Sequence, residues 1–153
     1  MAFRSEFRSV VLPIPDTATH DLWISLILSI VSEIGILPSP LIKYRKHSAQ
    51  QVGVLRYGFR ESVAKSKQIG ATEFLSHASQ YAMARDRIRQ YRSGRDFHRQ
   101  IDLVNGKIRH MSVRAAMPTA RWRRLPMILR QTFNGDYFRF SEGCKSIAKD
   151  LVF

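Results

Sequence analysis

The clearest apolar rhythm in the chain lies between His20 and Ile34, where Leu22, Trp23, Leu26, Ile27, Ile30, Val31 and Ile34 recur at intervals of three and four. That spacing lines one broad face of an α-helix, so the pattern predicts a helix over 20–33 with that face buried. Asp16 and Thr19 stand ahead of it as candidate N-caps, and Gly35 stops it. Upstream, Val10-Val11-Leu12 is closed by Pro13 and Pro15, which predicts a short extended segment leading into a turn. Downstream, Ile36-Leu37, a Pro38-Ser39-Pro40 bend and Leu41-Ile42-Lys43-Tyr44 predict a pair of short strands or one bent strand.

The stretch 48–69 is polar and mixed, with helix expected in its later part. From Ala71 to Tyr91 strong helix formers dominate, and Phe74, Leu75, Ala78, Tyr81, Ala82 and Arg85 share one register, so a long helix is expected. Asp102 to Met117 carries a weaker helical pattern that Pro118 ends. Pro126 is expected to interrupt the apolar segment Trp122 to Phe133, because proline lacks an N–H and its ring crowds the preceding turn. Asn134-Gly135 predicts a turn, and a short helix is expected from Ser141 to Leu151.

With 153 residues, 44% of them hydrophobic, the chain suits one domain with a real core and a tail. Its lone Cys144 rules out an intramolecular disulfide and a cysteine-based zinc cage, and it fits a reducing compartment. The run Leu22 to Val31, broken by Ser25 and Ser29, falls short of the roughly twenty apolar residues needed to cross a bilayer. Arg4, Glu6 and Arg8 near the start do not have the layout of a secretory signal, so none is expected. A Gly-x-Ser-x-Gly elbow and a glycine-rich phosphate loop do not occur, which argues against an independent hydrolase.

Charge changes this picture most. A formal +13 implies attraction to something anionic: nucleic acid, an acidic membrane surface, or a nucleotide or polyprenyl diphosphate. Between Arg85 and Arg130 there are thirteen Lys or Arg against three acids, so most of the positive field belongs to the C-terminal half. Two expectations follow for that half, beside the plain one of a solvated helical face. In one, Arg121-Trp122-Arg123-Arg124-Leu125 with Met127, Ile128 and Leu129 rests at the cytoplasmic face of a membrane. In the other, the arginines from Arg85 to Arg99, interleaved with Tyr81, Tyr91 and Phe97, form a nucleic-acid surface.

Candidate chemistry gathers nearer the start. His20-Asp21-Leu22-Trp23 opens the first helix, and a carboxylate there suits a general base at the rim of a cleft. Alone, Asp21 reads equally well as a first-turn acid favoured by the helix dipole, with Trp23 in the core. Arg45 and His47 alternate along the expected strand end and so point to one side, where a guanidinium and an imidazole suit a diphosphate or its metal. His77, on the long helix four residues before Tyr81, reads as a packing or surface residue, and His98 and His110 sit amid arginines with no carboxylate or cysteine partner at metal spacing.

Taken together, His20-Asp21-Leu22-Trp23, Tyr44-Arg45-Lys46-His47 and Gln50-Gln51-Val52-Gly53 resemble the acceptor-side half of a family 2 glycosyltransferase. The match runs from Met1-Ala2-Phe3-Arg4 through Val11-Leu12-Pro13-Ile14-Pro15 to Gly53, and no Asp-x-Asp metal motif occurs. The resemblance implies a C-terminal piece of an A-type glycosyltransferase fold: α/β, predominantly helical, with a few short strands. Residues 1–60 would form the acceptor-side part and 61–153 a basic helical region. It further implies transfer of a sugar from a nucleotide-sugar donor to a surface polysaccharide or lipid-linked oligosaccharide, with Mg or Mn in the complete enzyme. In that scheme Asp21 is the catalytic base, His20, Trp23, Arg45, Gln50 and Gln51 bind substrate, and His47 reaches the metal. The location implied is cytoplasmic, peripheral to the inner face of the cytoplasmic membrane. The alternative expectation is a small basic helical protein that binds nucleic acid.

Overall fold

The computed structural model describes residues 2–40, 70–91 and 94–152. A 3-10 turn, Ser5–Phe7, runs into α1 (Arg8–Val11), followed by α2 (His20–Val31), α3 (Ala71–Gln90), α4 (His98–Ala115), α5 (Arg121–Phe133), α6 (Asp136–Phe140) and α7 (Cys144–Val152). Among the described residues every regular element is helical, which corrects the expected α/β class. The expected boundary near residue 60 lies outside the described residues.

Two of the expected extended segments show why. Val10 and Val11 are adjacent and both almost fully buried. A strand would send neighbours to opposite faces, whereas a helical turn swings both toward one core, and the chain takes that turn as α1. Ile36 and Leu37 stand exposed in irregular chain, and their expected partner, 41–44, lies outside the described residues.

Trp23 joins α1 to α2. Its ring is buried, and its indole N–H donates to the Val11 carbonyl at 2.8 Å. Around it Val10, Val11, Ile27, Leu28, Ile30 and Val31 form one cluster with Ala84 and Ile88 of α3 and Phe97 and Val104 at α4. The buried face of α2 is therefore rotated from the expected one: Leu28 is inside, while Leu22 and Ile34 are exposed. Thr19 occupies the expected N-cap position in extended conformation, without a side-chain capping bond.

Helices α3 and α4 form an antiparallel hairpin. Arg85 bonds Asn105, Lys107 lies over the Tyr81 ring and Arg114 over the Phe74 ring, so α3 runs backward as α4 runs forward. On α3 the buried positions are Ala78, Ala84 and Ile88. Small alanines at a contact let two helix axes approach closely.

Of the last three helices α6 packs on the far end of α4, and α5 and α7 pack against α6 and against each other. Helix α5 runs unbroken through Pro126, which corrects the expected interruption. Pro126 and Trp122, whose carbonyl would lose its donor, are both on the solvent side, so water can satisfy that group. Gly135, at φ 75°, makes the expected turn into α6. The tip of the Phe140 ring of α6 reaches α4 at Gly106, with its Cζ in the space that a Cβ would fill.

Candidate functional site

His20 and Asp21 come together as expected at the first turn of α2, imidazole Nε2 against carboxylate Oδ1, with side chains 74% and 76% exposed. Two residues on, Trp23 points the opposite way, into the core, with the Arg87 guanidinium 5.7 Å from its ring centre. It presents no face to a sugar, which corrects its expected role. Arg45, His47, Gln50 and Gln51 lie outside the described residues. A cavity of about 790 Å³ opens beside α2, lined by Phe3, Phe7, Leu28, Ile34, Leu37 and Arg95 among others, with neither His20 nor Asp21 on its wall. Among the described residues no three His, Cys, Asp or Glu side chains gather at metal-binding distance, and His47, the residue expected to reach the metal, lies outside them.

Several arginines of the basic half turn out to be structural. Arg85 holds both Asp86 oxygens, at 2.9 and 3.2 Å, and Asn105 at 3.3 Å. That hydrogen-bonded guanidinium pulls the Asp86 carboxyl below its ordinary range. Arg87 donates to the carbonyls of Leu12 at 2.6 Å and Pro13 at 3.1 Å, pinning the start of the chain to α3. Phe97 is buried and stacks on Tyr91, and burial raises the Tyr81 hydroxyl. The expected nucleic-acid surface thus commits two of its arginines and much of its aromatic area to internal contacts.

Deeper in the C-terminal part, Arg114 and Asp150 form a two-point pair that also takes in Ser141 at 3.1 Å and the Tyr137 hydroxyl at 2.7 Å. Burial first, then the Asp150 carboxylate, pushes the Tyr137 hydroxyl well above its usual range. Lys107 donates to the Phe140 carbonyl, and burial first, then the charge of Arg114, lowers its proton affinity. Arg124 also turns inward, reaching the carbonyls of Pro118 at 2.5 Å and Asp150 at 3.2 Å.

With those groups engaged, the outward side of α5 stands out. Trp122 is 69% exposed, Leu125 45%, Leu129 53% and Phe133 86%, with Pro126 exposed among them. At roughly 100° per residue these five fall within one arc of about 100°. Arg123 and Arg130 border the arc on one side and Arg121 on the other, all three exposed. The Arg123 guanidinium sits 5.0 Å from the Trp122 ring centre.

No acid occurs in α5. The acids that follow it are occupied or turned inward: Asp150 pairs with Arg114, Glu142 with Lys149, and Asp136 is half-buried near His110. The helix therefore carries an unpartnered apolar stripe with a cationic border. The sequence-based expectation named part of it, Trp122, Leu125 and Leu129, but included Ile128, which is buried, and Met127, which is half-buried. It missed Phe133, although the steps 122, 126, 129, 133 follow the same three-and-four rule.

Comparison with known proteins finds no matching family model, no matching curated protein and no matching solved structure.

Proposed function

We propose that this protein docks peripherally on an anionic membrane surface through the outward face of α5. The observation that carries the reading is the exposed stripe Trp122, Leu125, Pro126, Leu129 and Phe133, bordered by Arg121, Arg123 and Arg130 on a helix without acids. In such a seat the aromatic and aliphatic groups enter the acyl boundary while the guanidiniums stay at headgroup depth. Among the described residues no helix is long and apolar enough to cross a membrane, so attachment would be to one face.

Magnitudes favour joint action of the two kinds of group. Each basic residue near an anionic surface contributes about 1 kcal/mol, so the three border arginines supply roughly a hundredfold in affinity. Full burial of one Leu or Phe side chain is worth about 1.5–3 kcal/mol, and partial insertion less. Neither group alone gives stable attachment.

Nucleic acid would satisfy the charge but leave the apolar stripe in water. Sugar transfer, expected from the resemblance, retains His20 and Asp21 as a pair on open surface, and the docking reading uses neither. The test is co-sedimentation of the full chain with vesicles of phosphatidylcholine, alone or mixed with phosphatidylserine. Binding confined to the mixed vesicles, a blue shift of tryptophan emission and loss of binding at high salt are expected. Absence of binding to the mixed vesicles at low salt, or binding retained by Leu129→Asp, would overturn the reading.

A further inference from the structure

Inside the protein, against Gln131 of the docking helix, lies a fully buried histidine. His110 of α4 is 1% exposed, and neither ring nitrogen has a hydrogen-bond partner. Tyr137 meets the ring edge-on at 5.2 Å between centres, and Phe140 lies at 6.2 Å. Gln131 of α5 stands beside it, itself buried, with its Oε1 also unpartnered. Three buried polar atoms thus lie where Gln131 of α5 meets α4, and the Gln131 amide is near enough to favour a proton on the ring.

We infer that His110 is an acid-sensitive latch between α4 and the unit formed by α5, α6 and α7: neutral, it lets that unit seat on α4, and protonated, it loosens the seat and strengthens attachment to an anionic bilayer. The second half of this inference rests on the docking reading.

The electrostatics around the ring run against a proton. Lys107 and Arg114 lie on the same helix, three residues before and four after, so each is about one turn away. From α6 come the Asp136 carboxylate, which favours the charge, and the Tyr137 hydroxyl, which already donates to Asp150. From α7 comes Asp150, whose oxygens are taken by Arg114 and Tyr137. From α5 comes the neutral Gln131. Burial is the largest effect and lowers the proton affinity of His110; Arg114 and Lys107 lower it further, against smaller help from Gln131 and Asp136.

The sign follows from linkage. A histidine whose folded pKa is depressed is neutral in the folded state while the unfolded chain takes up a proton, so folding is favoured less as pH falls. The contribution is fully present above the ordinary value of about 6.5 and is lost progressively from there down to the depressed folded value. One proton changes the opening equilibrium by at most about tenfold per pH unit. Ile128 is buried and Met127 half-buried on the inner side of α5, behind the border arginines, so loosening the unit adds apolar area for a bilayer.

The experiment has a solution arm and a vesicle arm, both on the full chain. Hydrogen exchange of α5 and α6 amides, corrected for the intrinsic pH dependence, is compared between about pH 7.5 and pH 5.5, a range that brackets the ordinary histidine pKa, in wild type and His110→Gln. Faster opening at the lower pH in wild type, reduced by more than half in the variant, is expected. Equal pH dependence in both overturns the latch. Should His110→Gln fail to fold, an NMR titration of the wild-type ring decides: a midpoint below about 6.5 supports the latch and one at or above it overturns it. Vesicles of phosphatidylcholine and phosphatidylserine are expected to bind wild type more tightly at the lower pH, with no such gain in His110→Gln. A latch seen in solution with the same vesicle gain in both proteins overturns the link to attachment, and no vesicle binding at either pH overturns the docking reading while the solution arm stands.

Discussion

Arg114 and Asp150 lie 36 residues apart and meet side-on, Nη2 to Oδ1 at 2.6 Å and Nε to Oδ2 at 2.8 Å, each side chain only 10% exposed. This pair ties the last helix, α7, to α4, and the Tyr137 hydroxyl on the same carboxylate brings in α6. Removing one partner of a buried pair typically costs about 3–5 kcal/mol, because the other charge is left uncompensated. Asp150→Ala is therefore expected to lower the urea midpoint steeply, and to unfold the C-terminal helices if overall stability is near the low end of the usual range of about 5–15 kcal/mol. The double change Arg114→Met with Asp150→Leu should recover part of the loss; a double variant as unstable as the sum of the singles would refute this account.

Trp23→Phe removes the indole N–H from the Val11 carbonyl and leaves a gap where the larger ring was. A buried acceptor without its donor costs about 1–3 kcal/mol, and lost packing adds to it. We expect destabilisation of about 2–4 kcal/mol, read by chemical denaturation. The two tryptophans should also separate in quenching: iodide reaches Trp122 in the folded protein but not Trp23.

At Gly106 two effects compete. Alanine gains up to about 1 kcal/mol of helix propensity at a mid-helix glycine. Its Cβ would, however, overlap the Phe140 ring, and overpacking costs about 1–3 kcal/mol. Gly106→Ala is expected to lower the thermal midpoint by a few degrees, and Gly106→Ala with Phe140→Leu to restore it. A midpoint raised by the single change would show that the ring yields freely.

Asp21→Asn tests the helix start. Its exposed pairing with His20 and its place in the first turn are together worth less than about 1 kcal/mol. Stability should change little and vesicle binding not at all, whereas loss of a sugar-transfer activity on this change would support the role that the resemblance gives Asp21.

On the docking face, Leu129→Asp and Phe133→Ser remove apolar groups that touch mostly water. Folding stability is expected to stay within about 0.5 kcal/mol of wild type, as for ordinary surface changes. Attachment to anionic vesicles should fall tenfold or more in a sedimentation titration. An equal loss in Ile128→Ala would mean that folding, not the face, is being measured.

How much was legible beforehand depended on the range of the interactions. The helices from His20, from Ala71 and near the C-terminus were readable, because helix-forming composition and three-and-four spacing act within a few residues. Pro13 and Gly135 likewise marked real turns, whereas the helix from His20 ends at Val31, ahead of Gly35. Val10-Val11-Leu12 was misread because a short apolar run has no period of its own: contact with α2 decides between strand and turn. Pro126 was misread because its cost depends on whether the freed carbonyl meets water or protein, which only the packing of α5 on α6 and α7 settles.

The candidate sites divide along the same line. The sequence by itself determined that the chain is strongly basic, that α5 holds arginines and large apolar groups without an acid, and that His20 and Asp21 share a helix start. Only the tertiary structure decided which way those groups face. It drew Trp23 into the core, bound Arg85, Arg87, Arg114 and Arg124 to internal acceptors, enclosed His110, and left Trp122, Leu129 and Phe133 outside. The reason is that a helix is amphipathic only relative to its neighbours: α5 has apolar groups on more than one side, and the side it buries is set by α6 and α7, which follow it in the chain, and by the Arg114–Asp150 pair that holds α7 in place.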